Sequence, residues 1–236
     1  MASTEKLFSM ESSFRGLSNN MNPDKKAILI GAYPIGDFEV LKKEREGAFL
    51  LCCDGGYKTL EKLGVEPDLF VGDFDTLPKK ELKNPKEVIT LNPIKDDTDT
   101  FYAVKWALEK GFTTFYFFGC LGGKVEHSLA NIQILSYLID HKARGFLFSS
   151  DSKIVLTMGE NETFRFKRDA KGMFSLFSYT PNALVTEKNL KYTLDKAELS
   201  SSIPLGVSNE FIGEEAEVTI HQGKAILVYP YGGLIR

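Results

Sequence analysis

The chain has 236 residues, 43% hydrophobic and 26% charged, with 29 Lys plus Arg against 32 Asp plus Glu and a net charge of −3. That length gives one large domain or two small ones with an ample core, and the composition lies far from the disordered class. Near-neutrality argues against a DNA or RNA binder, whose affinity rests on a basic surface, and no run of apolar residues is long enough to span a membrane.

Residues 1–25 are polar, rich in Ser and Asn, and lack the apolar stretch of a secretory signal, so they read as a flexible arm. Up to about residue 150, apolar runs at 27–33, 48–53, 68–71, 87–91, 114–118 and 145–148 alternate with amphipathic stretches at 38–46, 57–63, 98–110 and 126–141. The first set reads as strands buried on both faces, the second as helices. In the third helix Phe101, Val104 and Leu108 share a face, Asp97 or Thr98 is the N-cap, and Gly111 is the stop. Such alternation predicts an α/β domain over 26–150 with a mostly parallel sheet. Beyond 150 the helical rhythm ends. Runs at 153–158, 162–166, 173–178, 183–186, 193–199, 215–221 and 224–229 read as short strands of an all-β, sandwich-like domain over 151–236, with a hairpin turn at His221-Gln222-Gly223-Lys224. Cys52, Cys53 and Cys120 form no paired framework and no Cys-x-x-Cys, so they read as buried thiols of a cytoplasmic protein.

The acids of the α/β half fall at the C-terminal ends of predicted strands. Asp54 follows one strand and leads into Gly55 and Gly56; Asp73 and Asp75 follow the next; Asp96, Asp97 and Asp99 open a helix. Open parallel sheets bind ligands in the crevice outside those strand ends. Carboxylates so gathered repel one another by about 4 kcal/mol per close pair, which calls for a cation. Mg²⁺ suits them, because it takes hard oxygen ligands and shares them with phosphates. Asp73 and Asp75, two apart on an extended segment, point the same way. Asp97 divides evenly between this role and a plain helix cap.

Two glycine loops reach the same rim, Gly55-Gly56 and Gly119 to Gly123, and allow close backbone approach to phosphate. Lys124, Glu126 and His127 follow the second. His127 is either a polar helix-start residue or a ligand contact; Lys95 is either a counter-ion of the aspartates or a phosphate contact. Neither a Walker A loop, nor a protein-kinase signature, nor a nucleophile elbow occurs.

Asp54-Gly55-Gly56, Gly72-Asp73-Phe74-Asp75-Thr76, Lys95-Asp96-Asp97-Thr98-Asp99 and Gly122-Gly123-Lys124-Val125-Glu126-His127 resemble, in order and spacing, the thiamine pyrophosphokinase family. Leu205-Gly206-Val207-Ser208-Asn209-Glu210-Phe211 is similar to that family's thiamine-side segment, and the resemblance spans about residues 27 to 236. It implies a homodimer that transfers a diphosphate from ATP to the thiamine hydroxyl and releases AMP, with Mg²⁺ on the triphosphate and no nucleic-acid or membrane partner. Asp73, Asp75 and Asp99 are then the catalytic residues and metal ligands, with Asp99 taking the hydroxyl proton. Asp54, Gly55, Gly56, Lys95, Asp96, Thr98, Gly122, Gly123, Lys124, Glu126 and His127 belong to the ATP and Mg²⁺ side, and Ser208 and Asn209 to thiamine. The family usually has Arg and Asp where this chain has Lys124 and Glu126. Lys keeps the charge but loses the bidentate fork, and Glu lengthens the carboxylate by one methylene.

Two other readings remain open. Phe70 to Leu77 also resembles the nucleophile strand of haloacid-dehalogenase-like phosphatases, with Asp73 phosphorylated and Asp75 the general acid. A non-catalytic nucleotide or thiamine sensor would keep the fold without turnover. For the dimer, the aromatic residues of the β half (Phe164, Phe166, Phe174, Phe177, Tyr179, Tyr192 and Phe211) suggest an exposed apolar patch.

Overall fold

A computed structural model describes residues 25–235 other than Thr76, Asn84 and Lys95; the 1–25 arm, apart from Lys25, lies outside the described residues. Six apolar runs form parallel strands: β1 (Lys26–Ile30), β2 (Phe49–Cys53), β3 (Leu69–Gly72), β4 (Glu87–Thr90), β5 (Thr114–Phe118) and β6 (Arg144–Phe148). Between them lie helices α1 (Phe38–Glu44), α2 (Tyr57–Lys62), α3 (Asp99–Glu109) and α4 (Val125–Asp140). Thr98, not Asp97, caps α3, its hydroxyl accepting from the Phe101 N–H at 3.1 Å.

The second half supplies β7 (Lys153–Met158), β8 (Glu162–Phe166), β9 (Met173–Ser178), β10 (Asn182–Lys188), β11 (Leu194–Ser200), β12 (Asn209–Glu210), β13 (Ala216–Gln222) and β14 (Ala225–Pro230). These do not make a separate sheet pair. β7, β14, β9 and β12 extend the parallel sheet antiparallel beyond β6, giving ten strands in the order β12-β9-β14-β7-β6-β5-β1-β2-β3-β4. A four-stranded antiparallel sheet, β11-β10-β13-β8, forms the other layer of the sandwich.

One face of the large sheet packs Ile28, Leu50 and Phe118 against Val40 and Leu41 of α1 and Leu60 of α2, and farther along it packs Leu227 and Phe174 against Val185 and Val218 of the small sheet. The opposite face packs Leu29, Leu51 and Phe117 against Ala103 and Val104 of α3 and Leu135 and Leu138 of α4.

Two expectations change. β13 and β14 do not pair with each other: β13 lies between β10 and β8, and β14 between β7 and β9. Gly223, at φ +79°, carries the chain from one sheet to the other. The aromatic residues of the β half are also not one exposed patch, because Phe166, Phe174 and Phe211 interlock with Tyr229 inside the sandwich. Among the described residues, the large apolar side chains that do face outward there are Met173, Tyr192, Ile203, Leu205, Val207, Ile212 and Ile235.

Candidate active site

β1 and β5 lie side by side, but the chain leaves β1 for α1 on one face and leaves β5 for α4 on the other. The two loops part, and the crevice between them opens at the C-terminal ends of the strands, where open α/β sheets bind ligands. A cavity of about 360 Å³ lies there. Asp54, Gly55, Asp73, Asp75, Thr98, Asp99, Lys124 and His127 all line it. A larger cavity, about 650 Å³, lies beside Lys43 of α1 and is walled chiefly by Tyr116, Phe146, Phe148, Tyr229 and Tyr231. Glu215 is its one lining acid, so it offers no carboxylate cluster for a metal; Lys43, Lys167 and Arg168 line it as well.

Asp54, Asp73 and Asp75 each bring a carboxylate oxygen to within 4.8 Å of the other two. This is little more than the roughly 4.2 Å that opposite ligands of one Mg²⁺ ion span at bond lengths near 2.1 Å. Two unusual backbone conformations make the convergence possible. Asp54 has φ +37° at the start of a tight turn, and Phe74 has φ +64°. Asp73 and Asp75 therefore do not lie on an extended segment. The chain bends through Phe74, whose ring stacks on Phe70 at 5.1 Å, and the Asp75 N–H donates to the Asp73 carboxylate at 3.3 Å. Non-glycine residues held in this region cost about 1–3 kcal/mol each and gather at functional sites.

Asp99 lines the same cavity from the first turn of α3 but is not one of the three converging carboxylates, which include Asp54. Asp97 lines the cavity and is ion-paired to Lys105 at 2.5 Å. Gly56 does not face the cavity, because a Cβ there would sit 2.3 Å from the Ile30 carbonyl oxygen. It serves close packing of the turn on β1. Gly122, Gly123, Asp96 and Glu126 are exposed beside the cavity without lining it, and Lys95 lies outside the described residues.

Tyr33 went unnoticed in the sequence. Its hydroxyl accepts from the Lys124 N–H at 3.2 Å, and its ring stands 6.2 Å from that of His127. Gly123 has φ +64°, and a Cβ there would lie 2.0 Å from the Tyr33 ring, so glycine is required on both counts. Asn131 is the second unnoticed residue; buried, it donates to the Cys120 carbonyl at 2.7 Å and holds the loop after β5. Cys53 and Cys120 form part of the wall, but burial pushes the Cys120 thiol up to about 12 and raises Cys53 as well. Both stay protonated and poorly nucleophilic.

Ser208 and Asn209 lie elsewhere. Ser208 is exposed with φ +61°, its N–H donating to the Ser175 hydroxyl at 3.1 Å. Asn209 is buried, and its side chain makes four hydrogen bonds. Nδ2 donates to the Glu187 carboxylate at 2.9 Å and the Tyr192 carbonyl at 2.7 Å; Oδ1 accepts from the N–H groups of Tyr192 and Glu210, each at 2.9 Å. It has nothing left to offer a ligand. Seven strand-to-strand steps separate β12 from β2, about 34 Å at ~4.8 Å a step.

The phosphatase reading finds no support. Asp73 directly follows β3, which lies one strand in from the sheet edge and comes after two earlier strands.

Comparison with known proteins gives one answer. The family model for "Thiamin pyrophosphokinase, catalytic domain" matches residues 38–147, and that for "Thiamin pyrophosphokinase, vitamin B1 binding domain" matches residues 161–227. A thiamine pyrophosphokinase of Bacillus subtilis is 28% identical over 180 residues, covering 74% of this chain and 84% of that protein. Among solved structures, the Bacillus subtilis thiamine pyrophosphokinase superposes with a TM-score of 0.77 at 23% identity over 88% of this chain and 100% of that one. The yeast enzyme superposes with a TM-score of 0.73 at 14% identity over 92% of this chain and 88% of that one. The fold is theirs, and with both family models matching in sequence order, the chain belongs to the thiamine pyrophosphokinase family.

Proposed function

We propose that this chain transfers a diphosphate group from ATP to the hydroxyl of thiamine, giving thiamine diphosphate and AMP. The observation that carries the reading is the convergence of Asp54, Asp73 and Asp75 at the crevice between β1 and β5, in a chain matched by both family models. Three hard oxygen donors at this spacing fit Mg²⁺, which when bound neutralises phosphate charge as the transfer proceeds. Asp54, Asp73 and Asp75 would hold it. Asp99, on the same cavity, accepts the proton of the attacking hydroxyl. Lys124 and His127 face phosphate oxygens from the other wall, and the first N–H groups of α4, which no capping side chain of Lys124 engages, add to that positive side. The hydroxyl attacks the β-phosphorus in line and AMP leaves, so the protein contributes chiefly positioning and charge compensation.

Residues 26–150 form the nucleotide half and 151–236 the thiamine half. Ser208 contacts the vitamin, and Asn209 holds the Ser208 loop in place. One chain holds these apart: β12 stands five strand-to-strand steps, about 24 Å at ~4.8 Å a step, from β5 at the near wall of the cavity. A second copy supplies the missing part, with the Ser208 loop of one subunit facing the aspartates of the other. Leu205 and Val207, 65% and 45% exposed, flank that loop, and Val125 and Leu129, 71% and 59% exposed, flank the nucleotide cavity. Such apolar rims suit a homodimer. Three buried free thiols fit a reducing cytoplasm.

Incubation with ATP, Mg²⁺ and thiamine, followed by chromatography of the nucleotides, tests the reaction. AMP that depends on thiamine is expected. ADP would refute diphosphate transfer, and tight ATP binding without turnover would favour a sensor. A dimer mass in light scattering at micromolar protein is expected; a monomer mass would refute the shared site.

A further inference from the structure

Ala183, Val185 and Glu187 of β10 are all buried, and the pairing of β10 with β11 shifts register between Val185 and Glu187. The first two are apolar core residues; the third is a carboxylate 2% exposed to solvent. Oε2 of Glu187 accepts from Asn209 Nδ2 at 2.9 Å, while Oε1 is buried with no hydrogen-bond partner. A carboxylate buried with one oxygen unpartnered costs stability.

We propose that Glu187 is a positioning residue for thiamine: through Asn209 it fixes the backbone of the Ser208 loop. The geometry accounts for each bond. A carboxamide can flip, exchanging its donor and acceptor ends. Glu187 and the Tyr192 carbonyl both demand the donor end of Asn209, and the N–H groups of Tyr192 and Glu210 both demand the acceptor end. Four contacts thus admit one orientation. That orientation ties the turn before β11 to the start of β12. Ser208, the residue before Asn209, is thereby held in its left-handed conformation against Ser175. Burial pushes the Glu187 carboxyl up to about 7, opposed by the Asn209 hydrogen bond. Glu187 is therefore tuned by its surroundings rather than indifferent to them.

The inference rests on Ser208 being a thiamine contact, so its test separates the two claims. Glu187→Gln keeps an acceptor oxygen for Asn209; Glu187→Met has similar length and none. Steady-state kinetics of thiamine-dependent AMP release should show the Met variant with a thiamine KM raised about five- to tenfold. Its ATP KM and kcat should stay within about twofold, and the Gln variant should resemble wild type on all three measures. An unchanged thiamine KM in the Met variant, equal rises for both substrates, or a Gln variant as impaired as Met overturns the proposal. Should the Met variant fail to fold, hydrogen exchange of the Asn209 side-chain amide in the wild type decides. Slow exchange is expected, and exchange as fast as that of an exposed asparagine overturns the clamp. A wild type that releases no AMP with thiamine counts against the function itself; variants that fail to separate in an active protein count against Glu187.

Discussion

Replacing Glu187 by Gln should change how stability depends on pH. A glutamate free in the unfolded chain titrates near 4.5, whereas burial raises the folded carboxyl to about 7. The folded state therefore holds its proton over a range in which the unfolded state has lost it. Below pH 4.5 both states are protonated and the group carries no penalty. As pH rises through 7 the folded carboxyl must ionise in its apolar site, and that stability is lost. At about 1.36 kcal/mol per pH unit, the wild type loses about 2.5 kcal/mol between pH 5 and pH 8 through this one group. The Gln variant loses none of it. Its amide does place N–H groups where Oε1 has no partner, which costs about 1–3 kcal/mol, but that cost is the same at every pH. Urea unfolding of both proteins at pH 5, 6, 7 and 8 isolates the effect. The stability of Glu187→Gln relative to wild type should improve by about 2.5 kcal/mol across the series. A difference that stays flat with pH would refute the raised carboxyl.

Asp54→Asn should lower kcat/KM at least about 100-fold while the fold persists, since one of three converging ligand oxygens is lost; near-normal turnover at saturating Mg²⁺ would remove Asp54 from the site. Gly123→Ala should cost about 1–2 kcal/mol for the backbone alone, plus the displacement of the Tyr33 ring. Adding Tyr33→Ala should recover the second part in a thermal melt, and no recovery would mean the ring is not the obstacle. Ser208→Ala should raise the thiamine KM, with a loss of about 1–3 kcal/mol, or roughly 5- to 150-fold in kcat/KM. An equal loss toward ATP would reduce Ser208 to scaffolding.

Most of the architecture was legible because a buried parallel strand has little choice of residues. The runs that became β1, β2, β3 and β5 were continuous, apolar and bounded by turn residues, and the structure places them within a few residues of expectation; β4, Glu-Val-Ile-Thr at the sheet edge, is mostly exposed rather than buried on both faces. The acidic rim was legible for the same reason, since strand ends are known once strands are. What failed depends on partners distant in sequence. Gly223 does turn the chain, but turn chemistry does not say which strands then pair, and here they belong to different sheets. Nothing in Asp73-Phe74-Asp75 announces a left-handed phenylalanine, so the pair was taken to align by pleating. Tyr33 matters only because β1 lies against β5, which brings it to Lys124 from 91 residues away. β12 is two polar residues long and has no periodicity to read.

The join between the two halves has a mechanical consequence. β6 passes directly into β7, with Leu147 opposite Val155 and Phe148 opposite Ile154, so main-chain hydrogen bonds cross residue 150 without a break. Severing the chain at that turn exposes a raw strand edge on each fragment, and raw edges recruit other chains. Either fragment expressed alone should aggregate rather than fold. The intact chain should melt in one calorimetric transition, because neither half has a border at which it can let go of the other. Damage at this seam then travels both ways: a polar residue in place of Leu147 or Val155 weakens the aspartate crevice and the Ser208 loop together, although it touches neither.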